Sequence, residues 1–201
     1  MAMTILYPVG DKLYINLTNK CPCSCTFCIR QNGDGAYGSD SLWLDHDPTE
    51  EEITAAFAKE NLSDYTELVF CGFGEPTEQL DRLCFTASYA RKLAGCPKIR
   101  LNTNGLSDLI HGEKTAHRLK GLIDTVSISL NAGDEAEYNR VTRPSFPDAF
   151  QALQTFASDC KEFVPQVMFT VVDVIPAEQI TLSQQLADRL GIPLRVRPYD
   201  S

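Results

Sequence analysis

Apolar runs rich in β-branched and aromatic residues recur along this 201-residue chain at Leu13–Leu17, Glu67–Cys71, Ile99–Thr103, Thr125–Leu130, Gln166–Val172 and Leu194–Pro198. Short runs of this make-up predict strands. Between them, Asp47–Lys59, Glu78–Leu93, Ala116–Leu122, Glu135–Asp159 and Ala177–Leu190 carry helical periodicity and helix signals, and predict helices. Pro76 precedes the second long helix, Gly95 and Pro97 follow it, and Gly191 and Pro193 separate the last helix from the last strand. Alternating strands and helices predict an α/β fold with a parallel sheet. Pattern alone leaves open whether that sheet is doubly wound or an incomplete barrel. Residues Gln31–Asp47 are Gly-rich and show neither period, which predicts a long irregular loop, mobile near a site.

The strand ends are more polar than buried strands need. Alternate residues share a face, so Asn102 pairs with Asn104, Ser127 with Ser129, and Arg195 with Arg197, while Val196 faces the other way. These side chains are candidates to point inward. The competing readings are turn chemistry for Asn104-Gly105 and satisfied buried hydroxyls for the serines. Val172 and Met168 could face a ligand, but apolar residues on buried strands are normally core.

A 43% hydrophobic composition over this length suits one domain spanning residues 1–201. The formal charge is −9, from 27 acidic and 18 basic residues, which opposes the counterion release that drives nucleic-acid binding. No stretch approaches the ~18 apolar residues of a membrane span, and no basic-then-apolar leader opens the chain. The expectation is a cytoplasmic protein with neither membrane nor nucleic-acid partner.

Composition also includes eight cysteines, of which Cys21, Cys23, Cys25 and Cys28 fall in one short segment. Without a leader, metal ligation, catalysis or plain burial outweighs disulfide formation. Cys21, Cys25 and Cys28 have C-x3-C-x2-C spacing in the loop after the first predicted strand, and a cubane iron–sulfur cluster held by three thiolates leaves one iron open to an exchangeable ligand. The alternative is zinc on all four thiolates, although structural zinc usually draws ligands from two separated arms. Cys23 reads as a passenger. Cys71, Cys84, Cys96 and Cys160 are scattered, so one cluster is expected, and His46, His111 and His117 read as surface histidines. Cys71-Gly-Phe-Gly-Glu-Pro76 ends the second strand, where Gly72 and Gly74 permit close backbone approach.

With Phe27 just before the third cysteine, this ordered set resembles the radical S-adenosylmethionine (SAM) superfamily. The resemblance implies a partial (β/α)6 barrel, a [4Fe–4S] cluster on Cys21, Cys25 and Cys28, and reductive cleavage of SAM followed by hydrogen abstraction from an unidentified substrate. By the same resemblance, Gly72, Gly74 and Glu75 meet the SAM amino group, Glu75 by charge. Asn102, Asn104, Ser127 and Ser129 meet its ribose or carboxylate, with Asn104 and Ser129 preferred. Arg143 clamps a carboxylate of SAM or substrate, Arg140 is better read as solvated, and Arg197 reaches the rim. An electron donor such as flavodoxin or ferredoxin is implied. The wording LYINLTNKCPCSCTFCIR and the small size resemble the TatD-associated radical SAM proteins, implying a functional link to a TatD-like hydrolase. Rivals are a radical activase acting on a polypeptide, a zinc-binding interaction module, and an iron–sulfur electron carrier with a fourth protein ligand.

Overall fold

The computed structural model describes residues 3–199, so the single-domain expectation for 1–201 extends past it at Met1, Ala2, Asp200 and Ser201. Seven strands form one sheet in the order of the chain: β1 (Leu6–Val9), β2 (Lys12–Ile15), β3 (Glu67–Phe70), β4 (Lys98–Thr103), β5 (Thr125–Ser129), β6 (Gln166–Val172) and β7 (Leu194–Arg197). Strands β2 to β7 are parallel neighbours. A doubly wound sheet reverses its strand order at a switch point. This one never does, which settles the open choice in favour of a partial barrel.

Strand β1 was absent from the sequence pattern. It pairs antiparallel with β2 through a tight turn in which Gly10 has φ +59°, a conformation glycine adopts without strain. Pro8 sits within β1, where an edge strand tolerates the missing N–H.

Burial along β4 alternates residue by residue. Ile99 and Leu101, like Leu13, Ile15, Leu68, Phe70, Val126, Ile128 and Phe169, are fully buried beneath the helices. Those helices are α1 (Glu50–Phe57), α2 (Leu80–Ala90), α3 (Ser107–His111), α4 (Glu135–Thr142), α5 (Ala149–Phe163) and α6 (Ala177–Leu190). Helix α5 presents Leu153, Phe156, Ala157 and Cys160 to that core. The other sheet face carries Arg100, Asn102, Ser127 and Ser129 and surrounds a cavity. Parallel sheets covered on both faces read as continuous apolar runs; here alternation marks a second face that sets polar side chains among apolar ones around a cavity.

The helix expected over Glu135–Asp159 is two helices. Arg143 has φ +47° and precedes Pro144, and proline disfavours helical geometry in the residue before it while lacking an N–H of its own. Thr49 caps α1 through a reciprocal bond with Glu52, which moves its start past the expected Asp47. Helix α3 is a short addition, and Ala116–Leu119 is a 3-10 turn. The 31–47 loop is irregular but tied down: Asn16 Nδ2 donates to Leu42 O at 2.8 Å and Asn19 Nδ2 to Leu44 O at 2.7 Å. Leu42 and Leu44 are buried.

Candidate active site

The cysteine loop leaves β2 and is held at three places. Lys20 O accepts the Glu75 N–H at 2.8 Å. Ser24 N donates to Thr142 O at 3.0 Å, and Thr26 N to Val141 O at 2.8 Å. Ser145 N donates to Pro22 O at 2.8 Å. The second group depends on the broken helix, because carbonyls near its C-terminus lack helical partners and accept from the cysteine loop instead. Pro144 was the signal in the sequence.

Cys21, Cys25 and Cys28 are half-buried, free thiols lining one cavity of about 250 Å³. Cys23, also a lining residue, is 3% exposed and packs in the main core. Hydrogen bonds from Cys23 hold the Cys21 and Cys25 thiols below the ordinary value, and the same bonds, with burial, push Cys23 up. Thiolate is the ligating form, so this donor set fits an iron–sulfur cluster with Cys23 left protonated. Among the described residues, no three Cys, His, Asp or Glu side chains form a site for a single ion. A cubane has a different requirement, since each thiolate binds its own iron. Arg30 Nε lies 3.4 Å from Cys28 Sγ, and its Nη1 donates to Asn19 O at 3.2 Å.

The glycine-rich turn after β3 forms the next wall. A Cβ on Gly72 would stand 2.1 Å from Asn16 Oδ1, and one on Gly74 would stand 2.2 Å from Thr18 O. These glycines are required by the cysteine loop pressing against the turn. Glu75 lines the cavity and also has internal partners. It is 4% exposed, and Oε1 accepts from Thr77 N at 3.1 Å, Thr77 Oγ1 at 2.8 Å and Thr103 Oγ1 at 2.7 Å. Oε2 accepts from Asn104 N at 2.7 Å. Burial raises its pKa, opposed by these bonds. Its carboxylate is committed to bracing β3 against β4, and Thr103 and Thr77 are partners that sequence reasoning missed.

Asn102, Asn104, Ser127 and Ser129 all line the cavity. Asn104 Oδ1 accepts from Leu106 N at 2.9 Å, and its Nδ2 lies 3.8 Å from Cys23 Sγ. Asn102 Oδ1 is buried with no hydrogen-bond partner, so it is the freer acceptor for a bound hydroxyl or amine. An orphaned acceptor in a lumen wall fits a SAM-sized polar ligand, because unpaired buried polar groups are costly. Arg143 is exposed and absent from the lining; its backbone, not its guanidinium, serves the site by accepting from Ser24 N. Arg140 pairs with Glu137 at 2.6 Å.

Arg195, Arg197 and Val172 do line the cavity, joined by Arg100, Tyr7 and Thr170, which the sequence pattern does not single out as site residues. His111 Nε2 lies 2.8 Å from Thr77 O and so packs onto the fold, while His46 pairs with Glu52 at the surface. Among the described residues, no helix is long and apolar enough to cross a membrane.

A curated relative, GTP 3',8-cyclase of Mycolicibacterium smegmatis, is 31% identical over 146 residues, covering 70% of this chain and 37% of the relative. SuiB of Streptococcus suis superposes with TM-score 0.66 at 16% identity, over 96% of this chain and 40% of SuiB. The native anSMEcpe structure with bound AdoMet gives TM-score 0.67 at 17% identity, over 94% and 51%. The chain thus spans about half or less of the length of these proteins, and the structural likenesses bear on the fold alone. The family model of the radical SAM superfamily matches residues 15–175, from the end of β2 through β6 and so across the cysteine loop, the glycine turn and both polar strand ends, and this chain belongs to that superfamily.

Proposed function

We propose that this chain is a radical SAM enzyme in which a [4Fe–4S] cluster and SAM, when bound, supply reductive cleavage to methionine and a 5'-deoxyadenosyl radical that abstracts hydrogen from a substrate. The observation that carries the reading is the convergence of three free thiols, two of them held toward thiolate, on the cavity that also contains Asn102, Ser127 and Ser129. Cys21, Cys25 and Cys28 are the ligands to iron. Asn102 offers its free Oδ1 to a SAM hydroxyl or ammonium, and Ser127 and Ser129 stand on the adjacent strand at the same face. The Glu75 brace keeps the Gly72–Glu75 backbone against the cysteine loop, so that two SAM-facing walls hold one spacing. Fixed spacing is the protein's main contribution when a cofactor carries the chemistry.

The reading extends to a small molecule, rather than a polypeptide, as the substrate. Asn32 Nδ2 donates to Tyr199 Oη at 3.1 Å, joining the cysteine side of the cavity to the residues after β7. The relatives divide on this point: the cyclase is named for GTP, whereas SuiB has been solved with its precursor peptide SuiA. The narrower TatD-associated assignment, with its link to a TatD-like hydrolase, is supported by the N-terminal wording through Arg30. A flavodoxin or ferredoxin would serve as electron donor.

The test is anaerobic reconstitution with iron and sulfide, followed by SAM and dithionite. Formation of 5'-deoxyadenosine that is lost in Cys25→Ala is the expected result. A colourless zinc protein that leaves SAM intact would put an interaction module in its place.

A further inference from the structure

The cavity wall carries three arginines, and the negative groups that face them across it are the cysteine thiols on the opposite side of the sheet. Arg100, Arg195 and Arg197 line it, against one acidic lining residue, Glu75, whose oxygens are already occupied by four donors. Arg100 is ion-paired, with Nη2 3.0 Å from Glu67 Oε2, although its Nε is also buried without a partner. Arg195 and Arg197 make no ion pair among the described residues. Arg197 Nε is nevertheless buried and unpartnered, as is Asn102 Oδ1 on β4. A buried guanidinium N–H and a buried amide oxygen left open in the same lumen are costly for the fold; SAM at Asn102 and an acceptor group at Arg197 remove the two costs.

The register places both arginines on the lumen side. Arg195 pairs with Thr170 and Arg197 with Val172, and each partner lines the cavity. Arg195 is exposed at the rim of the cavity and Arg197 is half-buried below it. They also lie on β7, at the far edge of the sheet from β2 and β3, whose following loops carry the cysteines and the glycine turn.

We propose that the substrate is a small molecule bearing an oxyanion, a phosphate or a carboxylate, held by Arg195 and Arg197. This rests on the radical SAM reading above. A planar guanidinium donates in a fork that matches either anion, and two arginines two residues apart on one strand face make a clamp along β7.

The test uses the anaerobically reconstituted protein and two probes, inorganic pyrophosphate and malonate, titrated calorimetrically at fixed salt with SAM titrated in parallel. The proteins compared are wild type, Arg195→Gln, Arg197→Gln and Arg197→Lys. The expected result is that one or both probes bind wild type, weaken at least tenfold in each Gln variant and recover in part in Arg197→Lys, while SAM affinity stays within twofold. Preference for pyrophosphate identifies a phosphate substrate; preference for malonate identifies a carboxylate. Probe binding that is missing in wild type, or indifferent to both Gln substitutions, overturns the proposal. So does a tenfold loss of SAM affinity in the Gln variants, which would assign the arginines to the SAM carboxylate. If wild type binds a probe through these arginines but never binds SAM, the anion site stands and the radical SAM reading fails.

Discussion

The Glu75 carboxylate accepts the Asn104 backbone N–H at 2.7 Å, so the turn after β3 and the end of β4 are joined through a buried side chain. Because Glu75 N also donates to Lys20 O, one residue fixes the distance between the cysteine loop and the wall that carries Asn102 and Asn104. In this chain the acidic residue of the G-x-G-E-P element works as an internal brace.

Replacing Glu75 by Gln leaves the shape and removes one acceptor. Whichever way the amide turns, an NH2 meets a backbone N–H, from Thr77 or from Asn104. An unsatisfied buried donor costs about 1–3 kcal/mol. Chemical denaturation of Glu75→Gln should show a loss of that size, and a change near zero would mean that the brace carries no strength.

The pH dependence of the same pair has a definite sign. Burial raises the folded-state pKa of Glu75, against the opposing hydrogen bonds. A raised folded pKa contributes stability that is full below the free carboxyl value of about 4.3 and is lost as pH rises through the folded value. The stability advantage of wild type over Glu75→Gln should therefore narrow as pH is raised from about 4.3 toward neutrality, measured on iron-free protein. A gap that widens with pH contradicts the sign.

Gly74→Ala should damage both fold and cluster. The added Cβ would meet two backbone oxygens, Thr18 O at 2.2 Å and Lys20 O at 2.7 Å, neither of which can rotate away. Overpacking of this kind costs about 1–3 kcal/mol, and the displaced segment leads directly into Cys21. Gly33→Ala, with nothing within 4 Å of its Cβ but φ +149°, tests backbone strain without collision. Equal iron content in Gly74→Ala and wild type would refute the packing argument.

Cys23→Ala should keep four irons per chain, whereas Cys25→Ala should lose them. Cys23 is core-packed and held protonated, while Cys25 is held toward thiolate. The cost to stability should be about 1 kcal/mol, the scale of losing one buried heavy atom. Loss of the cluster on Cys23 substitution would favour a four-ligand electron carrier.

Local periodicity and spacing made much of this protein legible. Strands β2 to β7 stand out because β-branched residues cluster in short runs, and the order of the cysteine motif, glycine turn and polar strand ends survives without three-dimensional information. Alternation in Lys-Ile-Arg-Leu-Asn-Thr of β4 already indicates one apolar and one polar face. The edge strand β1 is less visible, being four residues long with a proline inside it.

What the chain's own pattern determined was the set of elements and the chemistry available at their ends, because both depend on neighbours a few residues apart. The tertiary structure alone decided which groups meet across long separations. The break at Pro144 lends carbonyls to a cysteine loop far earlier in the chain; Glu75 turns inward to Thr103 and Asn104; Arg143 is left in solvent, away from the cavity. Each outcome depends on how the sheet curves and which loop packs against which turn. Those distances are set by burial of the whole core, and no local spacing encodes them.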